Sequence, residues 1–69
     1  MRRQEVISSN LRSVGYDTES NILEIEFNSG GVYQYLNVPE SVYKKLMSAD
    51  SLGRFFIQNI KNMYDFRRV

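Results

Sequence analysis

Histidine and cysteine are both absent from this 69-residue chain, which removes the usual general base, the commonest metal ligand and every thiolate or disulfide. Most hydrolytic and zinc chemistry loses its ordinary carriers. What is left is a set of carboxylates, tyrosines, lysines, arginines and hydroxyls. Three groupings among them have spacings that matter. Tyr33 and Tyr35, two residues apart, fall on one face of a strand. Glu24 and Glu26 do the same, about 7 Å apart from two residues of strand rise. Basic residues gather at Arg2 and Arg3, at Lys44 and Lys45, and at Lys61 with Arg67 and Arg68.

Each grouping has a chemical reading and a plainer one. The tyrosines could form a platform on which bases stack. They could equally be core residues under the helices, with hydroxyls reaching the rim, and a face shared with Leu23, Ile25 and Phe27 favours the core. Glu24 and Glu26 could bracket a divalent cation, but a third oxygen ligand is missing, so a solvated strand face is expected. Arginines at the two ends would make one phosphate-binding patch if the termini lie close. Arg54, next to Phe55, has the composition of a group that grips phosphate and stacks on a base. The candidate nucleic-acid contacts are therefore Arg2, Arg3, Arg54, Lys61, Arg67 and Arg68. A formal net charge of +1 gives no whole-molecule pull towards nucleic acid, so binding would rest on a local patch. No residue is assigned to catalysis, to a metal or to a cofactor.

The elements that position these groups are short and mostly clear. Leu11–Tyr16 alternates, with Arg12, Val14 and Tyr16 on one face and Leu11, Ser13 and Gly15 on the other. Asp17–Asn21 is turn-forming. Ile22–Phe27 places Leu23, Ile25 and Phe27 towards a core and Glu24 and Glu26 towards water. Asn28-Ser29-Gly30-Gly31 suits a hairpin, and Val32–Leu36 returns antiparallel. Arg12, Glu24, Glu26 and Gln34 are expected on the solvent face. Pro39 and Glu40 open a helix to about Ala49, with Val38, Val42 and Leu46 as its stripe. Asp50 or Ser51 caps a second helix marked by Leu52, Phe56, Ile60 and Met63 or Tyr64. Met1–Asn10 reads as a leader.

This order predicts an α+β fold: a three-stranded antiparallel sheet in β-β-β-α-α order, with two C-terminal helices packed on one face. The 69 residues form one domain with an ordered core of about residues 6–64. Hydrophobic residues at 42% and charged ones at 25% are the balance of a globular domain. No apolar run approaches the ~20 residues that span a bilayer. Met1–Glu5 leads into polar residues rather than a signal-peptide core, and a cytoplasmic location is expected.

Several of these segments, taken in order, resemble the KTSC domain family. They are Val14-Gly15-Tyr16-Asp17, Leu23-Glu24-Ile25-Glu26-Phe27, Gly31-Val32-Tyr33-Gln34-Tyr35, Val38-Pro39, Val42-Tyr43 and Ser51-Leu52-Gly53-Arg54-Phe55-Phe56. The resemblance runs from about Val6 to Tyr64. It implies a small domain also found at the C-terminus of some lysyl-tRNA synthetases and as free-standing bacterial proteins, with RNA binding suggested by that association. Gly15, Tyr33, Tyr35, Pro39, Gly53 and Phe56 match the family's pattern, which defines no catalytic or ligand residue. A non-enzymatic binding module is expected, with RNA as first partner. The alternative is a protein-interaction or homodimerisation module using the off-stripe side chains Tyr43, Met47, Phe55 and Ile57, with Tyr64 and Phe66 in support.

Overall fold

A computed structural model describes residues 1–69 of the chain. Seven elements follow one another: β1 (Arg3–Glu5), β2 (Leu11–Asp17), β3 (Ile22–Phe27), β4 (Val32–Tyr35), α1 (Glu40–Met47), α2 (Leu52–Asn59) and β5 (Phe66–Arg68). The strands make one antiparallel sheet in the order β1-β2-β3-β4-β5. The three expected strands are its centre. The sheet has five strands rather than three, and the helices precede the last strand instead of ending the chain. Both additional strands are three residues long and contain no buried residue, so neither leaves an apolar alternation in the sequence.

The turns form for local reasons. The Asp17 carboxylate accepts from the Glu19 N–H at 3.0 Å and the Ser20 hydroxyl at 2.8 Å, and Asn21 closes the β2–β3 turn at φ 57°. Those two bonds, the Ser20 one first, hold the Asp17 carboxyl below the usual carboxylate range. Between β3 and β4, Gly30 sits at φ 106°, a conformation L side chains rarely adopt. Pro39 stands just ahead of α1 with φ −63°. Ser51, rather than Asp50, caps α2 by accepting the Arg54 N–H at 3.2 Å. The helix stops at Asn59, so Met63 and Tyr64 lie beyond it and Met63 is exposed.

On the inner face, Tyr16, Leu23, Tyr35 and Phe66 stand in one row across four strands, and Val14, Ile25, Tyr33 and Arg68 in the next. Leu46, Phe56 and Ile60 from the helical half close over them. With Leu11, Val14, Leu23, Ile25, Tyr35 and Val38 they form the core. Leu11 is a correction. The register shifts between Leu11 and Ser13, which face Phe27 and Glu26, so Arg12 is the extra residue of a bulge. That moves Leu11 onto the Val14 and Tyr16 side, fully buried, and leaves Arg12 exposed.

Gly15 is required by close approach. A Cβ there would lie 2.8 Å from the Arg2 carbonyl oxygen and 3.0 Å from Cγ of Arg3, and the first of these is backbone that cannot swing aside. The Gly15→Ala variant is expected to push β1 off the sheet and lose about 1–3 kcal/mol. Urea unfolding checks the loss, and faster amide exchange at Gln4 reports the detached strand.

Candidate functional site

The outer face carries a row in register across all five strands: Arg3, Gly15, Glu24, Gln34 and Arg67. Arg3 crosses over Gly15 to pair with Glu24 Oε2 through Nη1. Gln34 Nε2 donates to Glu24 Oε1 at 2.8 Å, and Gln34 Oε1 accepts from Arg67 Nε at 2.9 Å. Ser13 accepts from Arg3 Nε at 2.8 Å and donates to Glu26 at 2.9 Å. Glu24 is 7% exposed. Burial pushes its pKa up, but the bonds from Gln34 and Arg3 and the Arg3 charge outweigh it, and the net shift is downward. Both strand carboxylates are thus engaged by neighbours, and no group of three or more metal-ligating side chains occurs.

Aromatic residues on the inner face form a closed circuit. Phe27 meets Tyr33 at 5.6 Å between centroids, Tyr33 meets Phe66 at 5.8 Å, Phe66 meets Tyr35 at 5.6 Å, and Phe56 meets both Tyr35 and Phe27 at 5.4 Å. Together they wall a cleft of about 540 Å³, completed by Asn10, Ser29, Ile57, Lys61 and Asn62. Tyr35 is core, at 4% exposure, whereas Phe66 is 55% exposed and Tyr33 is half-buried. Burial, then the neighbouring Tyr33, raises the Tyr35 pKa, so its hydroxyl stays protonated near neutrality. The pair is therefore divided between roles: Tyr35 braces Phe56, and Tyr33 presents part of its ring to the cleft. A second aromatic pair, Tyr16 and Tyr43, stacks at 4.9 Å, with the Tyr16 hydroxyl donating to the Val38 carbonyl. Burial and the charges of Glu40 and Asp17 raise the Tyr16 pKa.

The six basic candidates are dispersed. Arg2 and Arg3 belong to one edge of the sheet and Arg67 and Arg68 to the other, four strand spacings or about 19 Å away. The close-termini patch does not form. Arg3 is committed to Glu24 and Arg67 to Gln34. Lys61 lines the aromatic cleft, Arg68 lies 5.8 Å over the Tyr33 ring, and Arg54 is exposed on α2. Arg2 lines a second, smaller recess with Gln4, Tyr16 and Tyr43. The helix side chains Tyr43, Met47 and Phe55 pack against the core and leave only Ile57 of that group exposed. Sequence reasoning missed the cleft because Phe66 reaches it on a strand too short to show a period.

A five-stranded antiparallel meander, with two helices inserted before its last strand and an aromatic cleft at their junction, defines a small α+β domain. No helix is long and apolar enough to cross a membrane. A family model described as the KTSC domain matches residues 7–64, and the chain belongs to that family. A crystal structure of a KTSC domain protein from Yersinia pestis is similar at a TM-score of 0.97 and 47% identity, covering 99% of this chain and 96% of that one. A protein of Stutzerimonas stutzeri is 54% identical over 61 residues, 88% of this chain and 86% of its own. A lysine–tRNA ligase of Nostoc punctiforme is 38% identical over 59 residues, which are 86% of this chain and 10% of the ligase.

The lowered Glu24 pKa sets a pH dependence. The unfolded chain takes up this proton first as pH falls. The stabilisation is complete above the unfolded value of about 4.3 and is lost as pH drops through the folded value. Melting temperature is expected to fall between pH 5 and pH 3. Glu24→Gln should cost about 1–3 kcal/mol at pH 6 and show a smaller acid decline. A decline as steep as that of the parent chain would place the effect on other carboxylates.

Proposed function

We propose that this domain binds single-stranded RNA without catalysing a reaction, by admitting an unpaired base to the aromatic cleft between α2 and β4–β5. One observation carries the reading: partly exposed aromatic rings, Tyr33 and Phe66, stand in a concave site that Lys61 lines and Arg68 flanks. Stacking surfaces combined with nearby cations are the elements of sequence-tolerant single-strand binding. The cleft is concave and walled by side chains, so it suits a base free of its partner better than one inside a duplex. Arg54, exposed on α2, supplies a further cation on that side. Similarity to a segment of lysine–tRNA ligases agrees with an RNA partner. Arg2 and Arg3, on the far edge, take no part.

A second reading has its own observation. Ile57 and Phe66, at 53% and 55% exposure, give the cleft an apolar wall that a protein side chain or a second copy of the chain would also fill. Salt separates the two readings, since phosphate contacts weaken as salt rises and apolar contacts do not.

Fluorescence anisotropy with a labelled single-stranded RNA tests the proposal. With Arg54, Lys61 and Arg68 as the phosphate contacts, affinity is expected to fall with salt on a log–log slope of about −2. Phe66→Ala, at an exposed position, should weaken binding by about 5- to 100-fold through lost stacking while the fold persists by circular dichroism. Lys61→Gln should make the slope shallower by about 0.7. Unchanged affinity in both variants would remove the cleft as the RNA site.

A further inference from the structure

The free backbone groups of β5 can be identified from the hydrogen bonds around it. The Leu36 N–H donates to the Asp65 carbonyl at 2.8 Å, and the Val69 N–H donates to the Val32 carbonyl at 2.9 Å. In an antiparallel ladder, hydrogen-bonded pairs alternate with non-bonded ones. With Gln34 opposite Arg67, the bonded pairs are Leu36 with Asp65, Gln34 with Arg67, and Val32 with Val69. Asp65, Arg67 and Val69 therefore face β4 with their backbone. Phe66 and Arg68 turn theirs to the open side, because β5 is the last strand of the sheet. Two N–H and two C=O groups stand there in strand geometry, a template for a further strand.

The side chains of this edge state what such a strand must carry. Ion pairs in the protein involve only Arg3 and Lys44 as cations, so Arg67 and Arg68 have no acidic partner. Arg67 spends one donor on Gln34, and Arg68 lies against the Tyr33 ring. A guanidinium has five N–H donors, and both retain several for a carboxylate. Phe66, between the edge and the aromatic cleft, offers an apolar contact on the inner face. The opposite edge is different in character, since Arg3 is already paired with Glu24 and β1 also carries the acidic Glu5.

We propose that the open edge of β5 is a docking site for an extended acidic segment of another protein, which adds a sixth strand to the sheet. Its inner-face side chains include an apolar residue beside Phe66, and its carboxylates meet Arg67 on the outer face and Arg68 on the inner. A second copy of this chain fits the edge less well. A two-fold axis through Arg67 would set that arginine against its counterpart, and one through Phe66 would set Arg67 against Asp65 but leave Arg68 facing Tyr64, with no carboxylate to meet. This inference does not rest on the RNA reading, which concerns the cleft and not the backbone edge.

The test uses the full chain, isotopically labelled, with the eight-residue synthetic peptide Asp-Val-Asp-Asp-Asp-Val-Asp-Asp, which carries Asp at every position of one strand face and Val and Asp in alternation on the other. At saturation the amides of Phe66 and Arg68 should exchange at least about tenfold more slowly, and that of Arg67, already bonded to β4, should change little. Arg68→Gln removes charge alone, whereas Arg68→Pro also removes an outward N–H without touching the β4 ladder. Proline should weaken peptide binding by about fivefold more than glutamine does. The same peptide with Lys in place of every Asp should not bind. Absence of protection at Phe66 and Arg68 at millimolar peptide would overturn the proposal. Equal losses in the two variants would overturn it too, reducing the contact to charge attraction, as would a concentration-dependent dimer seen in sedimentation with those amides protected by self-association.

Discussion

Everything at the margins of this sheet depends on one nearly buried carboxylate. Glu24 sits in the central strand on the outer face, where burial disfavours its charge, and it is held charged by donors arriving from both sides. Arg3 reaches it from one edge strand, and Gln34 relays the contact towards Arg67 in the other. A three-residue strand has few ladder bonds of its own and little apolar surface, so side-chain ties of this kind are what fasten it. A half-made network would be worse than none, because an unpaired charge would stay buried at Glu24. The row is complete: no buried side-chain polar atom lacks a hydrogen-bond partner.

The two faces of the sheet consequently divide the work. The outer face is closed by its own polar ladder, with the carboxylates of Glu24 and Glu26 satisfied by neighbours. The inner face is covered by the helices except where the aromatic circuit opens beside Phe66. Strand β5 belongs to both, since Arg67 joins the outer row while Phe66 and Arg68 border the cleft. The cleft thus owes one wall to a contact on the opposite side of the sheet.

The centre of this arrangement was legible in the sequence, and its margins were not. Leu23, Ile25 and Phe27 alternate with Glu24 and Glu26 over a full strand, and the Asn-Ser-Gly-Gly turn fixes the next pairing, so β3 and β4 follow from local rules. Leu11 was placed on the wrong face because a bulge adds one residue and reverses parity, and nothing in Asn10-Leu11-Arg12-Ser13 announces it. Strands β1 and β5 escaped because Arg3–Glu5 and Phe66–Arg68 are shorter than any detectable period and are chosen by partners far along the chain. The same blindness applied to the site. Pairing Arg2 and Arg3 with Arg67 and Arg68 assumed neighbouring ends, whereas strand order alone separates them. The tyrosine pair was read correctly as inner-face residues, but the exposure of Tyr33 depends on Phe66, whose position no local pattern supplies.

The placement of the two chain ends on opposite edges also has a mechanical meaning. Tension applied between them acts across the strands rather than along them, so the interstrand bonds are loaded a few at a time and not together. Under load such a sheet opens like a zip from its outermost strands. The first strands to yield would be β1 and β5, taking with them one wall of the aromatic cleft while β2, β3 and β4 still held their core.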